Sequence, residues 1–180
     1  MSALKTSVLV VWVFFWLYWL ISAAAAKEGS RSRRIRPPGL LIIILGVVLL
    51  RIFGSRSLTV HNPILQVVGV ILLLSGLGLA VWARVFLGRN WGMPMTQKNE
   101  PELVTSGPYH YIRHPIYSGI LLAMLGTSLA TNIYWLIAFG VMAVYFIYSA
   151  RVEERLLTAS FPTTYPTYRT KTKMLIPFVL

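Results

Sequence analysis

Four stretches of this 180-residue chain are long and apolar enough to decide its environment: Val8–Ala26, Ile64–Val85, Ile116–Ala130 and Ile133–Ala150. A helix rises ~1.5 Å per residue, so about 20 apolar residues cross the ~30 Å hydrocarbon core of a bilayer. A fifth run, Leu40–Phe53, covers only about 20 Å at that rise. It either borrows flanking residues, with Arg51 reaching to the interface, or is re-entrant. Hydrophobic residues make up 56% of the chain, against roughly 45–50% in soluble domains even with glycine counted. The reading is an all-α integral membrane protein of about five transmembrane helices. Thr131-Asn132 separates the last two runs, so these form a tight helical hairpin.

The net charge of +12 suggests nucleic acid at first sight. The basic residues, however, flank the apolar runs, as the positive-inside rule and anionic headgroups select. No nucleic-acid partner is therefore expected. Lys5 alone precedes the first run, whereas Lys27, Arg31, Arg33, Arg34 and Arg36 follow it, the reverse of a signal peptide despite the "SAAAAKEG" end. With five crossings and the N-terminus outside, segments 27–39, 84–114 and 151–180 are cytoplasmic and hold 14 of the 17 basic residues. The C-terminus and any site near it then face the cytoplasm. The apolar "MLIPFVL" end is expected to lie along the interface.

Cysteine is absent, which excludes disulfides, thiolate metal sites and cysteine nucleophiles. One glutamate pair and scattered histidines make no metal ligand set, so no metal is expected. "GLG" at 76–78 lacks the strand a dinucleotide loop requires; Gly69, Gly76 and Gly78 read as helix-packing points.

The chemistry-bearing stretch is "SGPYHYIRHPIYSG" (106–119), which puts Arg113, His114 and three tyrosines at the edge of an apolar run. Counted from the hairpin tip at Asn132, His114 lies 18 residues back and Glu153 lies 21 forward. "RHPIY" and "RVEERL" (151–156) therefore return to the same face. Adjacent Glu153 and Glu154 point about 100° apart on a helix. One can bind an ammonium while the other pairs with Arg113, Arg151 or Arg155. Either motif alone is an ordinary interfacial anchor or a solvated helix end. Together, on two arms of one hairpin, they outline a pocket.

With "LVTSGPYHYIRHPIYSG" (103–119), "RVEERLL" (151–157), Phe161, Tyr165, Tyr168, Ile176-Pro177 and the lead-in "LGRNW" (87–91), the chain resembles the isoprenylcysteine carboxyl methyltransferase family and the related phospholipid methyltransferases. The resemblance covers roughly residues 85–177. It implies a membrane enzyme that uses S-adenosylmethionine and draws a lipophilic substrate from the bilayer. With the apolar runs giving N-terminal helices over residues 1–85, it implies a methyltransferase region over 86–180, made of a connector, the hairpin 115–150 and a cytosolic tail. Leu103, Val104, Gly107 and Tyr109 would line the cofactor, with His114 and Tyr117 beside it. Glu154, or else Glu153, would hold its amino group, and Arg151 would orient a substrate carboxylate. A carboxylate acceptor is already ionised and needs a fixed cation, whereas an amine needs a base such as Glu154 or His114.

Alternatives remain open at this level. They are a phospholipid or other amine N-methyltransferase, an NADPH-dependent membrane reductase, and a non-catalytic scaffold gripping anionic lipid through "KEGSRSRRIRPP".

Overall fold

The computed structural model describes residues 3–23, 29–31, 58–88, 91, 96–98 and 102–176. Five α-helices make up most of it: α1 (Ala3–Ala23), α2 (Pro63–Leu87), α3 (Pro115–Ala130), α4 (Trp135–Ser160) and α5 (Thr164–Lys171). A 3-10 turn, Gly107–His110, precedes α3. A three-residue antiparallel ladder joins β1 (Gly29–Arg31) to β2 (Thr96–Lys98), a small exception to the all-α reading. The Leu40–Phe53 run lies outside the described residues.

Helices α1, α2 and α4 are long and apolar enough to span a bilayer, and α3 is a shorter apolar helix. Their outer faces stay apolar and uncovered, with Ile21 76% and Ile64 71% exposed. That surface suits lipid and is costly in water. The chain is an integral membrane protein.

α2 starts where the sequence expects. Asn62 Oδ1 accepts from the amides of Ile64 (2.9 Å) and Leu65 (3.3 Å), and Pro63 occupies a first-turn position where its missing N–H costs nothing. α1 and α2 run in the same direction. Lys5 reaches Thr59 at the hairpin-tip end, while Arg84 donates to the Ser22 carbonyl at the other end (2.6 Å). The tip is tied down by the Val60 amide on Thr131 O and the Ile133 amide on Leu58 O. Trp12 Nε1 donates to Thr127 Oγ1 at 2.9 Å, fixing α1 against α3.

The closest pairing is between α2 and α3, and the hairpin α3–α4 is looser. Both partners carry small or buried residues at alternating spacings of four and three: Gly69, Leu73, Gly76, Ala80 and Ala83 on α2, and Gly119, Ala123, Gly126 and Ala130 on α3. Inside lipid, helices associate by such close backbone approach. A Cβ on Gly76 would lie 2.5 Å from both Ala123 N and Gly119 O, whereas one on Gly78 would meet nothing within 4 Å. Gly69 and Gly76 are thus packing points, whereas Gly78 meets none of the described residues.

With 16 residues, α3 is about 24 Å long. It is therefore shorter than a full crossing, and its N-terminus ends before α4 does. α4, with 26 residues, runs on past that level and carries Glu153 and Glu154 on its last turns.

Candidate active site

The hairpin returns the two polar stretches to one place. Arg113 Nε donates to Glu154 Oε1 at 2.6 Å, and both side chains are more than nine-tenths buried. The same guanidinium donates through Nη1 to the carbonyls of Arg169 (3.3 Å) and Thr172. Such a buried pair is tolerated because Nη1 of the fork is satisfied as well. Arg169 Nε approaches Glu154 Oε2 at 3.5 Å.

His114 sits between the two carboxylates. Its Nδ1 is 3.5 Å from Glu153 Oε2 and its Nε2 is 3.5 Å from Glu154 Oε1. The second contact lacks hydrogen-bond geometry, so Nε2 is buried without a hydrogen-bond partner. The ring stacks on Tyr117 (5.5 Å, 5°), which stacks on Phe146 of α4 (4.5 Å, 8°). Tyr117 donates its hydroxyl to Glu153 Oε1 at 2.5 Å. The adjacent glutamates therefore divide their work, Glu154 toward Arg113 and Glu153 toward Tyr117.

Burial opposes charge on His114, but the two nearby carboxylates of Glu153 and Glu154 outweigh it, and its pKa stands above the usual 6.5. A raised folded-state value stabilises the fold fully below about 6.5, and this stabilisation disappears as pH climbs through the higher value. Melting temperature in detergent should therefore fall as pH rises through that window, and His114→Gln should flatten the fall. An unchanged slope in the variant would assign the titration elsewhere.

Beside this cluster is a cavity of about 70 Å³ lined by Leu87, Glu102, Leu103, Val104, Tyr109, Arg113, Leu157, Tyr165 and Tyr168. The local backbone makes it possible. Gly107 has φ +58, a region open to glycine, and a Cβ there would meet the Phe86 ring. Tyr168 donates to the Tyr109 carbonyl at 2.5 Å, and burial is the main cause of a phenol pKa pushed up to about 12. Residues 172–175 close the site as a strap. The amides of Arg113 and His114 donate to the carbonyls of Lys173 (2.8 Å) and Met174 (3.0 Å), and Ser118 Oγ to Leu175 O (2.5 Å). Met174 and Leu175 are buried, so this part of "MLIPFVL" is built into the protein instead of lying along the interface.

A second hollow, of about 310 Å³, is lined by Leu4, Pro63, Gln66, Val67, Val70 and Ile71. It lies toward the hairpin tip and offers no acid, base or nucleophile.

A profile described as "Phospholipid methyltransferase" matches residues 64–164, more than half of the chain. The chain belongs to the phospholipid methyltransferase family. The match runs from the first turns of α2 to the start of α5 and so includes the whole Arg113–His114–Glu153–Glu154 cluster. Among curated relatives, the chain is 36% identical to the cobalt-zinc-cadmium resistance protein CzcN of Cupriavidus metallidurans over 50% of this chain and 43% of that one. It is 35% identical to a methanethiol S-methyltransferase of Crocosphaera subtropica over 39% and 28%. It is 32% identical to a protein-S-isoprenylcysteine O-methyltransferase of Xenopus laevis over 64% and 41%. The chain thus matches less than half the length of each of these three.

Of the residues expected at a family site, Leu103, Val104 and Tyr109 share the cavity wall, and Glu153, Glu154, His114 and Tyr117 form the adjoining polar cluster. Gly107 shapes the wall behind them. Arg151 is exposed on α4, outside the cluster of buried ion pairs, and Arg155 is exposed as well. The sequence reading offered Arg113 as one of three arginine partners for the glutamates, and the structure selects it; it gave no role to Tyr165 and Tyr168, which line the cavity with it. Its one available signal was the pair of tyrosines three residues apart, which places both on one side of a short helix. Among the described residues no group of three or more His, Cys, Asp or Glu is placed to hold a metal ion.

Proposed function

We propose that the chain is the methyl-transferring part of an integral-membrane methyltransferase that takes its methyl group from S-adenosylmethionine and gives it to the carboxylate of a lipophilic, isoprenylcysteine-like acceptor. The observation that carries this reading is the hairpin's delivery of Glu153 and Glu154 onto Arg113, His114 and Tyr117, next to a buried cavity, within a family of methyltransferases. The lining suits such a donor. Leu87, Leu103 and Val104 offer apolar wall to a flat ring, Tyr165 offers a hydroxyl, and two carboxylates stand near for cationic groups. At about 70 Å³ the cavity is smaller than the whole donor, so binding displaces part of the surrounding wall.

When bound, the donor supplies an electrophilic methyl on a sulfonium. The protein's share is alignment and exclusion of water. Leu103, Val104 and Tyr109 hold the donor, with Glu154 or Glu153 toward its ammonium. Arg113 is committed to Glu154 and to two carbonyls, so the acceptor carboxylate needs another cation. Arg151, one turn before Glu154 on α4, is the candidate, with a fork suited to a carboxylate. The short α3 supports a lipophilic acceptor, because it recesses the polar cluster below the level of a full crossing. The charge bias of the sequence supports a site facing the cytoplasm, with the N-terminus outside.

A second reading is favoured by the relative named methanethiol S-methyltransferase and by the buried His114. A thiol or amine acceptor has a proton to lose, and a histidine between two carboxylates is one place for it.

Calorimetry of S-adenosylmethionine on the detergent-purified protein tests the donor, with saturable binding expected; a well-folded protein that takes up no donor would overturn the proposal. Incubation with methyl-labelled donor and lipid extract tests the acceptor. A label released by mild alkali marks a methyl ester, and an alkali-stable label marks sulfur or nitrogen.

A further inference from the structure

Among the described residues Tyr165 is the largest fully buried side chain, with 0% of its surface exposed. Its hydroxyl nevertheless has no hydrogen-bond partner among the described residues. A buried hydroxyl left unsatisfied is costly and uncommon, and where one occurs it asks for a cause. Here the cause lies beside it. Tyr165 lines the cavity, where its neighbours are Arg113 and Tyr168 on one hand and Leu87, Leu103 and Val104 on the other. Tyr168, three residues on, spends its hydroxyl on the Tyr109 carbonyl. Arg113 keeps its Nε on Glu154 and Nη1 on carbonyls. Tyr165 is thus a cavity-lining residue whose buried hydroxyl the described part of the protein does not use. Burial also keeps its pKa above the ordinary phenol value, so the hydroxyl carries its proton throughout the neutral range.

We infer that Tyr165 is a ligand-binding residue of this site, and that its hydroxyl donates a hydrogen bond to the carboxylate at the amino-acid end of the bound methyl donor. The inference rests on the donor reading above and extends the site to α5, which becomes a wall of the pocket. A protonated phenol beside a guanidinium suits a carboxylate, while the three apolar side chains suit the opposite, ring-bearing end. The alternative occupant is water. A 70 Å³ cavity has room for a water, which takes about 30 Å³, and a water held by Tyr165 would have no bearing on the donor.

Tyr165→Phe removes the hydroxyl and keeps the ring, and S-adenosylhomocysteine and 5′-methylthioadenosine serve as probes, the latter lacking the amino-acid end. In calorimetry the variant should bind S-adenosylhomocysteine about tenfold more weakly, as expected for one hydrogen bond lost, with affinity for methylthioadenosine unchanged. Its ligand-free melting temperature should be equal or higher, since an unsatisfied group is gone. Equal weakening for both probes would overturn the assignment to the carboxylate. Unchanged affinity for both would leave Tyr165 facing water only. If the wild-type protein binds neither probe, the donor reading itself fails, and this inference with it.

Discussion

Glu154→Ala should remove donor binding and also unfold the end of the helical bundle that carries the polar cluster. Two buried cations depend on that carboxylate. Arg113 is joined to it at 2.6 Å, and His114 Nε2 faces it at 3.5 Å. Taking one partner from a buried ion pair leaves a charge that neither water nor protein solvates, at a cost of about 3–5 kcal/mol. Arg113 also holds the carbonyls of Arg169 and Thr172, so its release loosens α5 and the strap. Protease sensitivity near residues 165–175 and melting temperature report the structural part. Glu154→Gln separates the two roles, since it keeps the shape and an acceptor for Arg113 while abolishing the charge that would meet an ammonium. We expect Glu154→Gln to melt closer to wild type than Glu154→Ala, with donor binding lost in both. Full donor affinity in Glu154→Gln would remove this glutamate from the binding assignment.

Gly76→Ala, one methyl group, should destabilise the protein by about 1–3 kcal/mol or more. The new Cβ would stand 2.5 Å from Ala123 N and Gly119 O, which are backbone atoms of α3 and cannot swing aside as a side chain does. The helices must separate, and the other small residues along the seam lose their contacts with Gly76's own turn. Gly78→Ala, two residues on, meets open space and should leave stability within a few tenths of a kcal/mol or raise it. Thermal melting of both variants in one detergent decides the matter. Equal effects would mean that the α2–α3 seam is not the principal contact.

The parts of this molecule that depend on local chemistry were legible in the sequence. Run length marked the spans, including the start of α2 near Ile64, and Thr131-Asn132 marked the hairpin tip. Counting from that tip brought His114 within reach of Glu153 without any structure. The identity of helix partners was not legible. Gly69 and Gly76 announce a close approach, but the complementary spacing of Gly119, Ala123 and Gly126 has meaning only once α2 is known to lie on α3 and not on α1. The strap was misread for a related reason. Met174 and Leu175 are apolar beside a membrane, and nothing local distinguishes burial against protein from burial against lipid. The division of labour between Glu153 and Glu154 depended on Arg113 and Tyr117, which lie about forty residues away.

Synthesis proceeds from the N-terminus, and domains form as their residues emerge, at roughly 5–20 per second. Residues 172–175, whose carbonyls receive the amides of Arg113 and His114 and the hydroxyl of Ser118, are made after every helix described. The first polar turn of α3 is made more than fifty residues before these acceptors and waits for them. The pocket is therefore completed last, and a half-made chain, though correctly threaded, has no closed site.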